Sequence, residues 1–198
     1  MKNFVRLSLI VVYFVASILL VQVASAADYW SYPLSSWNVS RGFGEWVNNW
    51  DGKGSSGYHL GQDVPKSALT IAKNARWGYV RFVGEKSFYG NVVIIESPRD
   101  FEPSTNPSTW KYPYCQVFGH LRNDSYLAAT KAKLGKTIDR GTIVGRLGYK
   151  EENGGFGPHL HYGIRKGRYS STWVYFGYWP TTQVRDQWLK GSTIINNY

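Results

Sequence analysis

The chain is poor in sulfur, in imidazole and in acid. Its 198 residues include one cysteine, one methionine, four histidines and 13 acidic side chains against 23 basic ones. A single cysteine, Cys115, cannot form an internal disulfide, and it excludes a thiolate cluster around a structural metal. A domain of this size without disulfides has to be held by its core, or by its core and a metal. Cys115 reads as a small buried hydrophobe. A cysteine protease pairing Cys115 with His120 would leave the other histidines without a role. Internal repeats, low-complexity linkers and heptads are also missing.

Long apolar runs are scarce too. The one such run is Leu7 to Val21, broken by Ser8 and Ser17. Lys2 and Arg6 precede it, and Ala24-Ser25-Ala26 follows with the small-x-small pattern of a signal-peptidase site. Residues 1–26 are therefore expected to be a cleaved signal peptide, and residues 27–198 a single exported domain, periplasmic or extracellular. The alternative, an uncleaved anchor, has an apolar run short of the ~20 residues a span needs. No stable membrane insertion is expected after cleavage, and the mature protein is expected to be a monomer.

What is present in excess is positive charge and aromatic surface. The formal net charge is +10. Basic exported domains favour anionic partners such as wall polymers, lipid headgroups or nucleic acid. The charges are scattered (Lys131, Lys133, Lys136, Arg140, Arg146, Lys150, Arg165, Lys166 and Arg168), so solvated surface is an equal reading. No basic aromatic motif of nucleic-acid spacing occurs, and no nucleic-acid partner is expected. Aromatics make up 17% of the chain, with nine tryptophans and fifteen tyrosines. That suits a β-rich protein that handles an extended or sugar-linked ligand.

Short apolar runs alternate with glycine turns, which predicts a mainly β fold. Expected strands are 70–72, 78–83, 91–96, 116–120, 143–147 and 159–165. The run Val92-Val93-Ile94-Ile95 suits a strand buried on both faces. One short helix is expected over 125–134, ending before Gly135. Residues 97–114 read as an irregular loop, and 51–57 as a second loop rich in Gly and Ser. Residues 169–180 are intensely aromatic. They read either as cover for an open sheet edge or as one wall of a substrate cleft.

The four histidines fall in three phrases: Tyr58-His59-Leu60-Gly61-Gln62-Asp63, Phe118-Gly119-His120-Leu121 and Pro158-His159-Leu160-His161-Tyr162. On a strand, His159 and His161 share a face and Leu160 points into the core. Either both imidazoles bind one metal, or one ligates and the other faces substrate. His59 and Asp63 are expected on a loop entering a strand, because Gly57, Gly61 and Pro65 argue against a helix. Imidazole nitrogen with a carboxylate oxygen suits Zn²⁺, and His59, Asp63 and His161 would supply three ligands with one position open. Such an ion acidifies water to a pKa of ~7 and polarises a carbonyl. The remaining imidazoles, His120 and His159, are jointly assigned proton transfer and oxyanion donation.

With these phrases in view, the chain resembles the lysostaphin-type (LytM-type) zinc metallopeptidases, which cut peptide bonds in bacterial peptidoglycan. The resemblance runs from about residue 39 to 166, leaving 167–198 as an aromatic C-terminal extension. It rests on Arg41-Gly42-Phe43-Gly44, His59-Leu60-Gly61-Gln62-Asp63-Val64-Pro65, Tyr89-Gly90-Asn91-Val92-Val93-Ile94-Ile95, Phe118-Gly119-His120-Leu121, residues 135–145 and Gly157-Pro158-His159-Leu160-His161-Tyr162. The resemblance implies one zinc bound by His59, Asp63 and His161, with His120 and His159 catalytic. It further implies a twisted, mostly antiparallel sheet with a substrate groove, flanking loops, and peptidoglycan as substrate. Phe156 stands where the family often has Ser or Thr, and 97–114 resembles an insertion; both would reshape the groove. A non-catalytic activator or wall-binding protein of the same fold is the competing expectation.

Overall fold

A computed structural model describes residues 29–99, 106–153, 155–172 and 177–197. The expected signal peptide, 1–26, lies outside the described residues, as does part of the aromatic run, 173–176. Twelve strands follow in chain order: β1 (Trp46–Val47), β2 (Gly57–His59), β3 (Gln62–Pro65), β4 (Ile71–Lys73), β5 (Gly78–Lys86), β6 (Gly90–Pro98), β7 (Pro113–Leu121), β8 (Thr137–Ile138), β9 (Ile143–Arg146), β10 (His159–Lys166), β11 (Tyr178–Trp179) and β12 (Trp188–Leu189). The main sheet has the order β12-β10-β7-β6-β5-β8, with β3 also paired to β10. β1, β2 and β11 form a small second sheet, and β4 pairs β9. Every described strand pair is antiparallel.

All six expected strands occur, with ends shifted by a few residues. β6 shows why its apolar run is continuous. Val93 and Ile95 pack into the larger core with Phe118, Leu160 and Tyr162. Val92 and Ile94 pack on the opposite face with Leu60, Tyr89, Val117 and Trp188. Both faces are covered, so neither set of alternate side chains can be polar. Each such residue contributes ~1.5–3 kcal/mol by leaving water.

The expected helix forms as α1 (Ser125–Lys131). Asp124 caps it, accepting from Tyr126 N at 2.9 Å and Leu127 N at 3.2 Å. The helix stops three residues earlier than its alanine-rich sequence suggested, and turns carry the chain to Gly135, where φ is +74°. Two more short helices occur near the C-terminus, α2 (Thr182–Arg185) and α3 (Gly191–Asn197). The region 97–114 is more ordered than expected at its ends. β6 continues to Pro98, β7 begins at Pro113, and a 3₁₀ turn spans Pro107–Thr109.

The aromatic run 169–180 supplies a cleft wall through Tyr178, Trp179 and Pro180, and the edge cover comes from residues beyond it. Trp188 and Leu189 pair with Arg165 and Ile164, covering part of the β10 edge. Tyr178 and Trp179 pair with His59 and Tyr58 and stand beside the histidine cluster. Arg168 fastens this extension to the 97–114 region by donating to the carbonyls of Pro107, Ser108 and Trp110 at 2.7, 2.9 and 2.6 Å. No helix among the described residues is long and apolar enough to cross a membrane.

Candidate metal centre and active-site groove

All four histidines and Asp63 meet at one end of the main sheet. The pairing of β10 with β3 sets His161 directly opposite Asp63. The pairing of β10 with β7 sets His161 opposite Gly119. His59 ends β2, with two residues between it and the start of β3, so it and Asp63 sit on successive strands rather than on a loop entering one. Leu60 and Gly61 make the break. Gly61 cannot be larger: a Cβ there would fall on the His161 ring and 2.9 Å from the Tyr162 carbonyl oxygen.

His159 and His161 share a face and Leu160 points into the core with no exposure, as the strand period requires. His120 reaches the same site by another route. Asn91 pairs with Leu121 and Val93 with Phe118, so Gly119 and His120 together face Val92. That extra residue is a β-bulge. His120 sits in it at φ +63°. A non-glycine residue there is strained by ~1–2 kcal/mol. The bulge turns His120 away from the face that simple alternation would give it, toward His159, with ring centroids 4.1 Å apart.

Three ligand atoms form a nearly equilateral triangle. His59 Nε2 to His161 Nδ1 is 3.0 Å, His161 Nδ1 to Asp63 Oδ1 is 3.0 Å, and His59 Nε2 to Asp63 Oδ1 is 3.1 Å. The other ring nitrogens each have a partner that can accept their proton. His59 Nδ1 is 2.9 Å from the Gly42 carbonyl oxygen, to which it donates. His161 Nε2 is 3.0 Å from the Tyr89 hydroxyl. Both remaining lone pairs then converge with a carboxylate oxygen, an arrangement that needs a cation or a proton at its centre. A zinc ion ~2.0–2.1 Å from each donor fits over a triangle of this edge, and the outward hydrogen bonds are of the kind that orient metal-bound imidazoles.

Electrostatics keeps His161 and Asp63 deprotonated at neutral pH, as a metal requires. Burial lowers the His161 pKa to about 4, against the opposing effect of the hydrogen bond that it donates to Asp63 when protonated. Burial alone would raise Asp63, but hydrogen bonds and charge from His161 and His59 outweigh it and hold the carboxyl well below the usual range. His120 is lowered well below its ordinary value, by burial first and then by the charges of His159 and His161. Its Nδ1 is buried without a hydrogen-bond partner. His159 Nδ1 donates to the Gly157 carbonyl at 2.7 Å, which leaves Nε2 as an acceptor 3.7 Å from Asp63 Oδ1.

Asp63, His120, His159 and His161 line a cleft of about 690 Å³, while His59 is fully buried beside them. Aromatic rings build the wall beside it. Trp50 stacks on Tyr178 at 4.9 Å, Phe88 meets Trp50 edge-on at 5.2 Å, and Phe156 meets His120 at 5.8 Å. Phe156 thus places an apolar ring at the mouth, where the sequence departs from its resemblance. Cys115 is fully buried on β7, outside the cleft lining, and its thiol is pushed up by burial and by Glu96, so it offers no thiolate.

Two residues of this site carried no signal in the three histidine phrases. Tyr89, the outward partner of His161, precedes β6 as one more aromatic in an aromatic-rich chain. Tyr178 lies in the C-terminal extension, and only its pairing with His59 brings it to the site.

Residues 57–172, more than half of the chain, match the sequence profile of peptidase family M23. Among solved structures, the catalytic domain of the antimicrobial peptidase lysostaphin from Staphylococcus simulans superposes with a TM-score of 0.52 at 16% identity, covering 81% of this chain and 93% of that one. A second structure of the antimicrobial peptidase lysostaphin from Staphylococcus simulans gives 0.54 at 16% identity over 86% of this chain and 54% of that one. A zinc-containing peptidase from Vibrio cholerae gives 0.50 at 21% identity, over 69% of this chain and 36% of that one. At these identities the likeness is one of fold. A search of curated proteins found no match. The sequence profile and the mainly β, antiparallel architecture agree, and the chain belongs to peptidase family M23.

Proposed function

We propose that the protein is an exported zinc endopeptidase that hydrolyses peptide bonds in bacterial peptidoglycan, in stem-peptide cross-links or cross-bridges. The observation that carries this reading is the triangle of His59, Asp63 and His161 atoms, opening on a cleft with two further imidazoles beside it. Membership of a peptidase family, and the structural likeness to a peptidase named antimicrobial, support a bacterial-wall substrate. The basic, aromatic composition suits an anionic, sugar-linked polymer. Export is supported by the leader-like pattern of residues 1–26.

In this reading His59, Asp63 and His161 hold the ion, and Tyr89 and the Gly42 carbonyl orient the two imidazoles. Zinc there would acidify water and polarise the scissile carbonyl. His159, with Nδ1–H held by Gly157, presents Nε2 as the base that takes a proton from water. His120, neutral and packed against His159, is the second imidazole for proton delivery or oxyanion contact. The nearby His159 ring adds to the burial that keeps His120 neutral. The aromatic wall excludes water and grips an extended peptide.

The test is digestion of purified peptidoglycans of different cross-link chemistry by residues 27–198, with mass analysis of products. Loss of cross-linked fragments, abolished by a zinc chelator and restored by zinc, is the expected result. One bound zinc per chain with no release from any wall would overturn the enzyme reading and favour a wall-binding partner of the same fold.

A further inference from the structure

We infer that Arg41 anchors a carboxylate of the substrate, and so selects peptides that carry a free carboxylate next to the scissile amide. This rests on the endopeptidase reading above and sharpens it.

Arg41 forms an isolated antiparallel bridge with Asp63. Asp63 N donates to Arg41 O at 3.0 Å, and Ser40 N donates to Asp63 O at 2.9 Å. Residues opposite one another in such a pair project to the same face. Arg41 and Asp63 accordingly both line the cleft, side by side. The guanidinium is aimed by one contact: Nη1 donates to the Tyr178 hydroxyl at 2.8 Å. Tyr178 is itself fixed by pairing with His59 and by its stack on Trp50.

No carboxylate forms an ion pair with Arg41 among the described residues. Glu45 has Oε2 engaged with Gly42 N at 3.0 Å. Asp63 is committed to the imidazoles at 3.0 and 3.1 Å. A half-buried guanidinium, with five donors and one neutral acceptor, is therefore held beside a site suited to a divalent cation. Arg41 and Lys86 are both cationic and both line the cleft, and its lining carboxylate is Asp63. The charges of Asp63 and Glu45 act on Arg41 without an ion pair, and its remaining donors suit an anionic ligand. The planar fork of arginine matches a carboxylate in two parallel hydrogen bonds.

The position sets which carboxylate is read. Because Arg41 neighbours Asp63 across one bridge, the anchored group lies within about one residue of the bond being cut, given strand spacings of ~5 Å. A cross-link made through the amine of a diamino dicarboxylic residue carries a free carboxylate on the carbon beside the scissile nitrogen. An oligoglycine bridge carries none. The geometry therefore favours the direct stem-peptide cross-link.

The experiment compares two synthetic branched peptides that differ only at that group, carboxylate against carboxamide. Cleavage is measured as kcat/KM by the zinc-loaded protein, and binding is measured with the reduced-amide isosteres, which cannot be cleaved. A charge-assisted hydrogen bond pair of this kind corresponds to about a 10- to 100-fold preference for the carboxylate in both readouts. In Arg41→Gln the ratio collapses to within about threefold at unchanged zinc content, and Arg41→Lys restores part of it. Equal binding of the two peptides by the unaltered protein would overturn the inference. So would an equal loss on both peptides in Arg41→Gln, which marks Arg41 as a structural strap on Tyr178. The two readings fail separately. A binding ratio without any cleavage sinks the endopeptidase and keeps the anchor, whereas cleavage without a ratio does the reverse.

Discussion

His161 and Asp63 stand directly opposite one another across the β10–β3 ladder, 98 positions apart in sequence, with Nδ1 and Oδ1 at 3.0 Å. The proposed metal triangle is thus built into sheet register. A slip of one residue would send either side chain to the other face.

Replacement of His161 or Asp63 by alanine is expected to remove both bound zinc and wall hydrolysis. Asp63→Asn is the sharper variant, since it keeps the shape and removes the charge. Metal content after dialysis and release of cross-linked fragments are the measurements. Hydrolysis that persists in a metal-free variant would contradict the whole scheme.

Tyr89→Phe deletes the hydroxyl that meets His161 Nε2 while keeping a buried ring. Losing such an outward partner costs about 10- to 100-fold in metal affinity. Competition with a graded series of chelators reads this directly. Unchanged affinity would mean that packing alone orients the imidazole.

Gly61→Ala has no room for its methyl group, which would collide with the His161 ring and the Tyr162 carbonyl. Overpacking of this kind costs about 1–3 kcal/mol. Both stability and zinc affinity are expected to fall together, because the displaced group is a proposed ligand. A normal thermal midpoint with normal zinc content would refute the close fit.

The metal-free protein should lose stability in acid. His161 protonates only near pH 4 when folded, against an ordinary 6.5, and His120 is lowered as well. Between those values the unfolded chain takes up protons that the folded chain refuses. Stability present above pH 6.5 is therefore lost as pH falls toward 4. The slope is at most about 1.4 kcal/mol per pH unit for each histidine. Denaturant midpoints of the metal-free protein at pH 7 and pH 5 test this, and a midpoint that holds or rises in acid contradicts it.

Cys115→Ala should leave hydrolysis intact. The thiol is buried on β7, and its sulfur is 3.6 Å from the Gly167 carbonyl oxygen. Alkylating reagents should likewise fail to inhibit the folded protein. Inhibition by either route would revive a thiol mechanism.

Much of this architecture was legible from local pattern. The β-branched run of β6, the period-2 spacing of His159, Leu160 and His161, and the Asp124 cap with its alanine-rich helix each reflect forces within a few residues. The three histidine phrases named the cluster because no other imidazole exists to compete with them. Sequence alone misread the setting of His59 and Asp63, where glycines at 57 and 61 suggested a loop. Gly61 is instead small because His161 packs against it, a contact 100 residues away in the chain.

Tertiary structure decided the rest, and for one physical reason: the remaining relations are cross-strand. The bulge at Gly119 and His120 is visible only against Val92 on the neighbouring strand, and it is what brings His120 to His159. Tyr178 reaches Arg41 and His59 only because β11 pairs with β2. Side-chain chemistry and local periodicity are written in the order of residues. Which strands become neighbours, and in what register, is set by how the two buried faces of the sheet are covered.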